Sequence, residues 1–206
     1  MNGALNSQND RGIDMEEKVL KELIFNCVIS VHATVSGTNQ LILEYSVLNQ
    51  GSESVALFNR LYKGFDSKGR PIVDVNFVGV EFRENVIVIA KKLFPIPAGT
   101  LVETPYLPYL TIVSPGTRFE ERIVLNLPLV TWDPYSGNGK VPRLSAGKSL
   151  PVFFELGMFV LSQQNVLGTT ESTLGSVPSI QAFTESAQRI VRLGPLPISV
   201  RIDSKH

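Results

Sequence analysis

Over residues 23–35 every odd position is apolar (Leu23, Phe25, Cys27, Ile29, Val31, Ala33, Val35), while the even positions include Asn26, Ser30, His32 and Thr34. Successive side chains of a strand point to opposite faces. This period of two therefore predicts one half-buried strand with its odd face on the core. Residues 36–40 (SGTNQ) supply a turn, and Leu41, Leu43, Tyr45 and Val47 share one side of a returning strand, which completes a hairpin.

The pattern then recurs. Asn49-Gln50-Gly51-Ser52 is a turn, residues 55–62 a strand, Asp66-Ser67-Lys68-Gly69 a turn, and residues 72–77 and 86–93 further strands. Asp bonds its own backbone and Gly accepts positive φ, so both suit such turns. Ser114-Pro115-Gly116-Thr117 precedes a strand over residues 119–127 in which Glu120, Arg122 and Asn126 alternate with odd positions turned to the core. Residues 152–161 are apolar on both faces, as a central strand requires. Strands and turn signals every 8 to 12 residues or so indicate an all-β sandwich or barrel and leave no room for the helices of βαβ units.

Three stretches break the pattern. Residues 94–108 (FPIPAGTLVETPYLP) hold four prolines, which lack a backbone donor and so predict a long crossover along an edge. Residues 131–151 are a second irregular stretch. Residues 162–187, rich in Ser, Thr, Gln and Gly, carry too weak a pattern for core structure and predict a mobile excursion. At the N-terminus, residues 1–12 are expected to form a loose tail. Asp14 and Glu17 have the spacing of a capping box, which predicts a short helix over residues 14–21. Residues 13–206 then form a single domain.

Charge narrows the possible functions. Nineteen Lys and Arg balance nineteen Asp and Glu, which removes the broad positive field that nucleic acid or an anionic membrane would require. Weak mutual repulsion leaves self-association or a protein partner open. The first twenty positions are polar and acidic, so no secretory signal is read there, and no stretch approaches the ~18 apolar residues of a membrane span. The compartment expected is the cytoplasm, with no membrane insertion.

Catalytic equipment is scarce. Only His32 and His206 offer an imidazole, His32 lies on the polar face of its strand, and no Gly-x-Ser-x-Gly elbow presents a serine. Cys27 alternates with core residues, which predicts a buried, inert thiol. Gly147-Lys148-Ser149 resembles the end of a phosphate loop, but Pro142 occupies the leading position and a strand signal follows. Asp133 is the one carboxylate of residues 133–139, too little charge for a tight calcium loop. Glu120 and Glu121 point to opposite faces of one strand, and Glu81 and Glu84 flank a turn and are expected to be solvated. No enzyme activity, cofactor or metal is expected.

Two candidate contact surfaces remain. Arg60, Lys63, Lys68 and Arg70 form a basic patch interleaved with Tyr62 and Phe65. The irregular stretches carry Tyr106, Tyr109, Trp132 and Tyr135 among prolines, which reduce the ordering cost of binding. These four aromatics are the predicted partner-binding residues; the competing reading has them cap the open end of the sandwich. The general plan, with Asn49 and Gly51 closing a strand and Pro115-Gly116 opening a polar-alternating one, resembles immunoglobulin-like antiparallel sandwiches of roughly eight strands, a fold that hosts many unrelated functions. The expected function is a non-catalytic protein-binding or assembly module that uses its Pro/aromatic loops or a sheet edge. The alternative is a carbohydrate- or small-ligand-binding sandwich with aromatic stacking platforms.

Overall fold

The computed structural model describes residues 19–37, 39–135, 149–161, 167–180 and 187–200. The chain is all-β, and the described residues contain no α-helix. The strands in chain order are β1 (Leu20–Ile24), β2 (Cys27–Ser36), β3 (Gln40–Asn49), β4 (Val55–Arg60), β5 (Tyr62–Phe65), β6 (Pro71–Val73), β7 (Gly79–Arg83), β8 (Val86–Lys91), β9 (Tyr109–Val113), β10 (Arg118–Asn126), β11 (Leu150–Val160), β12 (Leu167–Ser172), β13 (Gly175–Ile180), β14 (Arg189–Leu193) and β15 (Ser199–Val200).

One sheet has the order β1-β2-β3-β10 and is antiparallel throughout. A second has the order β7-β8-β11-β4-β9 and is built around β11, and β5–β6 and β12–β13 form two further two-stranded sheets. Phe154 pairs with both Ile89 and Leu193, and Met158 with both Leu57 and Arg189, so β14 lies on one side of β11. On the opposite side β8 and β4 lie end to end. The β8–β11 pairing is parallel, which corrects the purely antiparallel expectation. The odd residues of β2 and β3 (Ile29, Val31, Leu43, Tyr45) meet Ile87, Ile89, Phe154 and Leu156 of the second sheet in one core. Asn49, fully buried at the end of β3, ties two turns together: its side chain donates to the Glu53 and Val113 carbonyls and accepts from Gly51 N–H.

Several expectations change. The strand over residues 23–35 is two strands, reversed at Phe25-Asn26, both at positive φ. In such a two-residue hairpin the flanking partners Ile24 and Cys27 point the same way. The core face therefore switches from even residues in β1 to odd residues in β2, and Leu23 is 64% exposed. The sequence hides this switch because exposed Leu23 and the turn residue Phe25 are apolar and extend the odd run across it. The helix expected over 14–21 is not found: residues 14–18 lie outside the described residues, and the chain is strand from Leu20 onward.

A second two-residue turn, Glu84-Asn85, makes a β7–β8 hairpin where no strand was expected before residue 86. The strand expected over 72–77 stops at Val73, after which Asp74 accepts from Asn76 N–H through its side chain and from Phe77 N–H through its backbone carbonyl. Within the stretch 162–187, residues 167–180 form the β12–β13 hairpin, with Val177 and Ile180 buried. Thr173 at its tip bonds the backbone of Pro71 and Val73. Residues 1–12 and 136–148, including Gly147 and Lys148, lie outside the described residues.

Candidate functional site

The outer face of the β11 sheet carries Val88 and Ala90 of β8. Onto it fold Leu61, Phe94 and the two irregular stretches. Trp132 is anchored through its backbone, which exchanges hydrogen bonds with Val80 at 2.9 Å in both directions. Its ring lies 4.4 Å from Phe77 and packs edge-on to Phe94 and Tyr106. Tyr135 accepts from Tyr106 N–H at 3.0 Å. Tyr106 in turn stacks on Tyr62, with ring centroids 4.5 Å apart and planes 16° apart. Its hydroxyl accepts from Tyr62 N–H and donates to Tyr62 C=O. Tyr62 also contacts Tyr109 at 5.5 Å and Phe65 at 5.4 Å.

The two surfaces read separately from the sequence are thus one aromatic chain. It runs from partly buried Trp132 to Phe65, which is 60% exposed at the β5–β6 tip. Tyr106, Tyr109, Trp132 and Tyr135 are all partly buried. Desolvation pushes the phenols of Tyr62, Tyr106 and Tyr109 above their ordinary value. Phe65 is the ring the sequence argument undervalued, and its position beside the Asp66 turn was the signal.

The basic patch is largely neutralised. Lys63 pairs with Asp74 at 2.6 Å, Arg70 with Asp66 at 2.8 Å, and Arg60 turns inward to Glu121 at 2.8 Å. Backbone N–H groups of Arg70 and Lys68, together with the Arg70 guanidinium, hold the Asp66 carboxyl below its ordinary value despite an opposing desolvation contribution.

Two ion clusters lie deeper, and neither was expected. Lys91, the last residue of β8, and Lys92, the next, have side chains that are fully buried. Between the sheets, Lys91 Nζ meets Glu121 Oε2 at 2.5 Å, Val75 C=O at 2.7 Å and Asn59 C=O at 3.2 Å. Glu121 also accepts from Tyr45 Oη at 2.8 Å and from Asn59 Nδ2 at 3.5 Å. Burial pushes the Lys91 ammonium down, against the pull of Glu121, and pushes the Tyr45 phenol well up. On the outer face Lys92 meets Glu155 at 2.6 Å and Glu81 at 2.8 Å, and Arg83 pairs with both carboxylates. Glu81, expected to be solvated, is therefore part of a buried cluster. Lys92 also lies 5.5 Å over the Phe94 ring, so this cluster adjoins the aromatic cap.

The other sequence candidates fall elsewhere. His32 stands opposite Glu44 on the outer face of the β2–β3 ladder, and Cys27 is fully buried with its thiol pushed up by desolvation. Among the described residues no group of three His, Cys, Asp or Glu is placed to hold a metal, and no helix is long and apolar enough to cross a membrane. No known protein family, curated protein or solved structure matches the chain.

Proposed function

We propose that the chain is a non-catalytic protein-binding or assembly module of immunoglobulin-like plan, acting in the cytoplasm, whose contact surface is the aromatic chain from Trp132 to Phe65. The stacking of Tyr62 on Tyr106 carries this reading, because it joins the hairpin tip to the Pro-rich loop as one surface with little freedom left to lose on docking. Tyr109 and Phe65 lie at its exposed end. Trp132, Tyr135 and Tyr106 support them from beneath, since the Tyr135 and Tyr106 hydroxyls and the Trp132 ring are already engaged within the protein. A protein partner, or a second copy of this electrically balanced chain, suits a surface whose neighbouring charges are paired.

The carbohydrate alternative needs exposed, coplanar rings. Trp132 lies at 53° to 82° to its neighbours, and in the stacked pair of Tyr62 and Tyr106 each ring covers a face of the other, which favours a protein contact.

The test is affinity capture from native extract at moderate salt with the wild-type chain, Phe65→Ala and Tyr109→Ala. A reproducible protein retained by the wild type and lost with either variant, at unchanged thermal stability, supports the surface. Equal retention by all three, or displacement by oligosaccharide, overturns it.

A further inference from the structure

The β11 sheet has a seam. β8 pairs with β11 as far as Lys91 opposite Leu156, β4 pairs from Leu57 opposite Met158, and Gly157 lies between them. On the other side of β4, its ladder with β9 shifts register between Leu57 and Arg60, and Asn59 lies within that shift. Three groups of complementary chemistry converge at this seam: an amine (Lys91), a primary amide (Asn59) and a carboxyl group from the opposite sheet (Glu121). All three are buried, with Lys91 and Asn59 fully enclosed.

We propose that Lys91 and Asn59 condense, with Glu121 as the proton relay, into an intramolecular amide bond that staples β8 to β4 across the seam. This chemistry is independent of the binding surface and acts once, on the protein itself. Glu121 contacts both reactants, Lys91 Nζ through Oε2 and Asn59 Nδ2 through Oε1, which is the arrangement a relay requires. Lys91 Nζ already rests against the Asn59 backbone carbonyl at 3.2 Å. Desolvation favours the neutral amine, which is the nucleophilic form.

Asn59 is the informative partner. Its Nδ2 donates to Tyr45 Oη and Glu121, but its Oδ1 is buried and has no hydrogen-bond partner. An orphaned buried acceptor is costly. Once Glu121 has taken a proton from Lys91, a half-turn of the amide lets Oδ1 accept from the carboxylic acid. That contact satisfies the oxygen and polarises Cγ for attack.

The step balances. Nζ forms a bond to Cγ, and the Cγ–Nδ2 bond breaks. The two protons that leave Nζ pass through Glu121 and end on Nδ2, which departs as ammonium, while Glu121 returns to carboxylate. No oxidant, metal or co-reactant is needed.

The probe is the intact mass of the purified full-length chain, followed by proteolysis and fragment sequencing. The expected result is a mass lower than that of the sequence by one ammonia, with the loss located in a branched peptide joining Asn59 to Lys91. Glu121→Gln, which keeps the size but cannot relay protons, should show the full sequence mass. A wild-type chain at full sequence mass overturns the proposal without reference to any variant. So does an ammonia loss that maps elsewhere, such as to Asn138-Gly139, where an asparagine can cyclise on the following backbone nitrogen.

Discussion

Lys91 and Lys92 are neighbours in sequence, leave their strand on opposite faces, and each ends on a different buried carboxylate, Glu121 between the sheets and Glu155 on the outside. Two adjacent ammonium groups are thereby withdrawn from water. Lys91 gains three acceptors, and Lys92 gains two carboxylates. Such pairs contribute modestly as a whole, yet removing one member strands the other charge.

The asymmetry makes the first prediction. Glu121→Gln should lower unfolding stability by about 3–5 kcal/mol in urea titrations, because it leaves buried Lys91 without its counter-charge, and Glu155→Gln should cost less, because Glu81 still pairs with Lys92. Replacing exposed Glu120, whose partner Arg118 is also exposed, should cost about 1 kcal/mol or less. Similar losses at Glu120 and Glu121 would contradict the burial argument.

Two glycines mark close approaches of different kinds. A Cβ on Gly157 would lie 2.9 Å from the Lys92 backbone Cα, and one on Gly79 would lie 2.4 Å from the Phe94 ring tip. Gly157→Ala must shift backbone and should destabilise by about 1–3 kcal/mol. Gly79→Ala should swing the Phe94 ring away from Trp132 instead. As Trp132 is the sole tryptophan, its emission reports this directly: a shifted spectrum is expected for Gly79→Ala, and an unchanged one would place Phe94 elsewhere.

Alkaline titration separates the phenols. Tyr45 and Tyr106 have folded-state values raised above the ordinary value of 10.0, chiefly by burial. Above pH 10 the unfolded chain therefore releases protons that the folded chain keeps, so these groups contribute stability below pH 10 that is lost as pH rises. The phenolate absorbance of Tyr45 and Tyr106 should appear late, coinciding with loss of near-ultraviolet dichroism. A single stage centred near pH 10 in the folded protein would refute the burial of Tyr45.

Cys27 is fully buried among core residues, with its thiol pushed up. It should resist a thiol reagent in native buffer and react at once in denaturant. Rapid native labelling would mean that the odd face of β2 is not the core.

Legibility followed periodicity. Where one face meets water and one the core, as in Cys27 to Ala33 or Leu41 to Val47, alternation located the strand and its buried face. It missed the Phe25-Asn26 and Glu84-Asn85 reversals, because neither turn holds the glycine or proline that marks one, and apolar Leu23 and Phe25 carry the odd run through the first. It missed β12 and β13, whose residues bury little beyond Val177 and Ile180. The aromatic surface was legible as two pieces, since nothing local to Tyr62 announces Tyr106, 44 residues away. The ion clusters left a trace that periodicity does set out: Glu121 occupies a core-facing position of β10, and Lys91 and Lys92 interrupt an apolar run. What was missing was the knowledge that each charge had a counterpart.

The place of β11 also orders events during synthesis. Its partners β4 and β8 emerge from the ribosome roughly 60 to 100 residues before it, and neither pairs with the other. Until residue 160 is free, those two strands present apolar, hydrogen-bond-hungry edges with nothing to close on. The β1-β2-β3 meander can form early from local contacts, but the second sheet must wait for its keystone. Such late, long-range closure slows folding and prolongs the interval in which a nascent chain is prone to aggregate. Chains truncated before β11 should be recovered as insoluble material even though they contain most of the core residues.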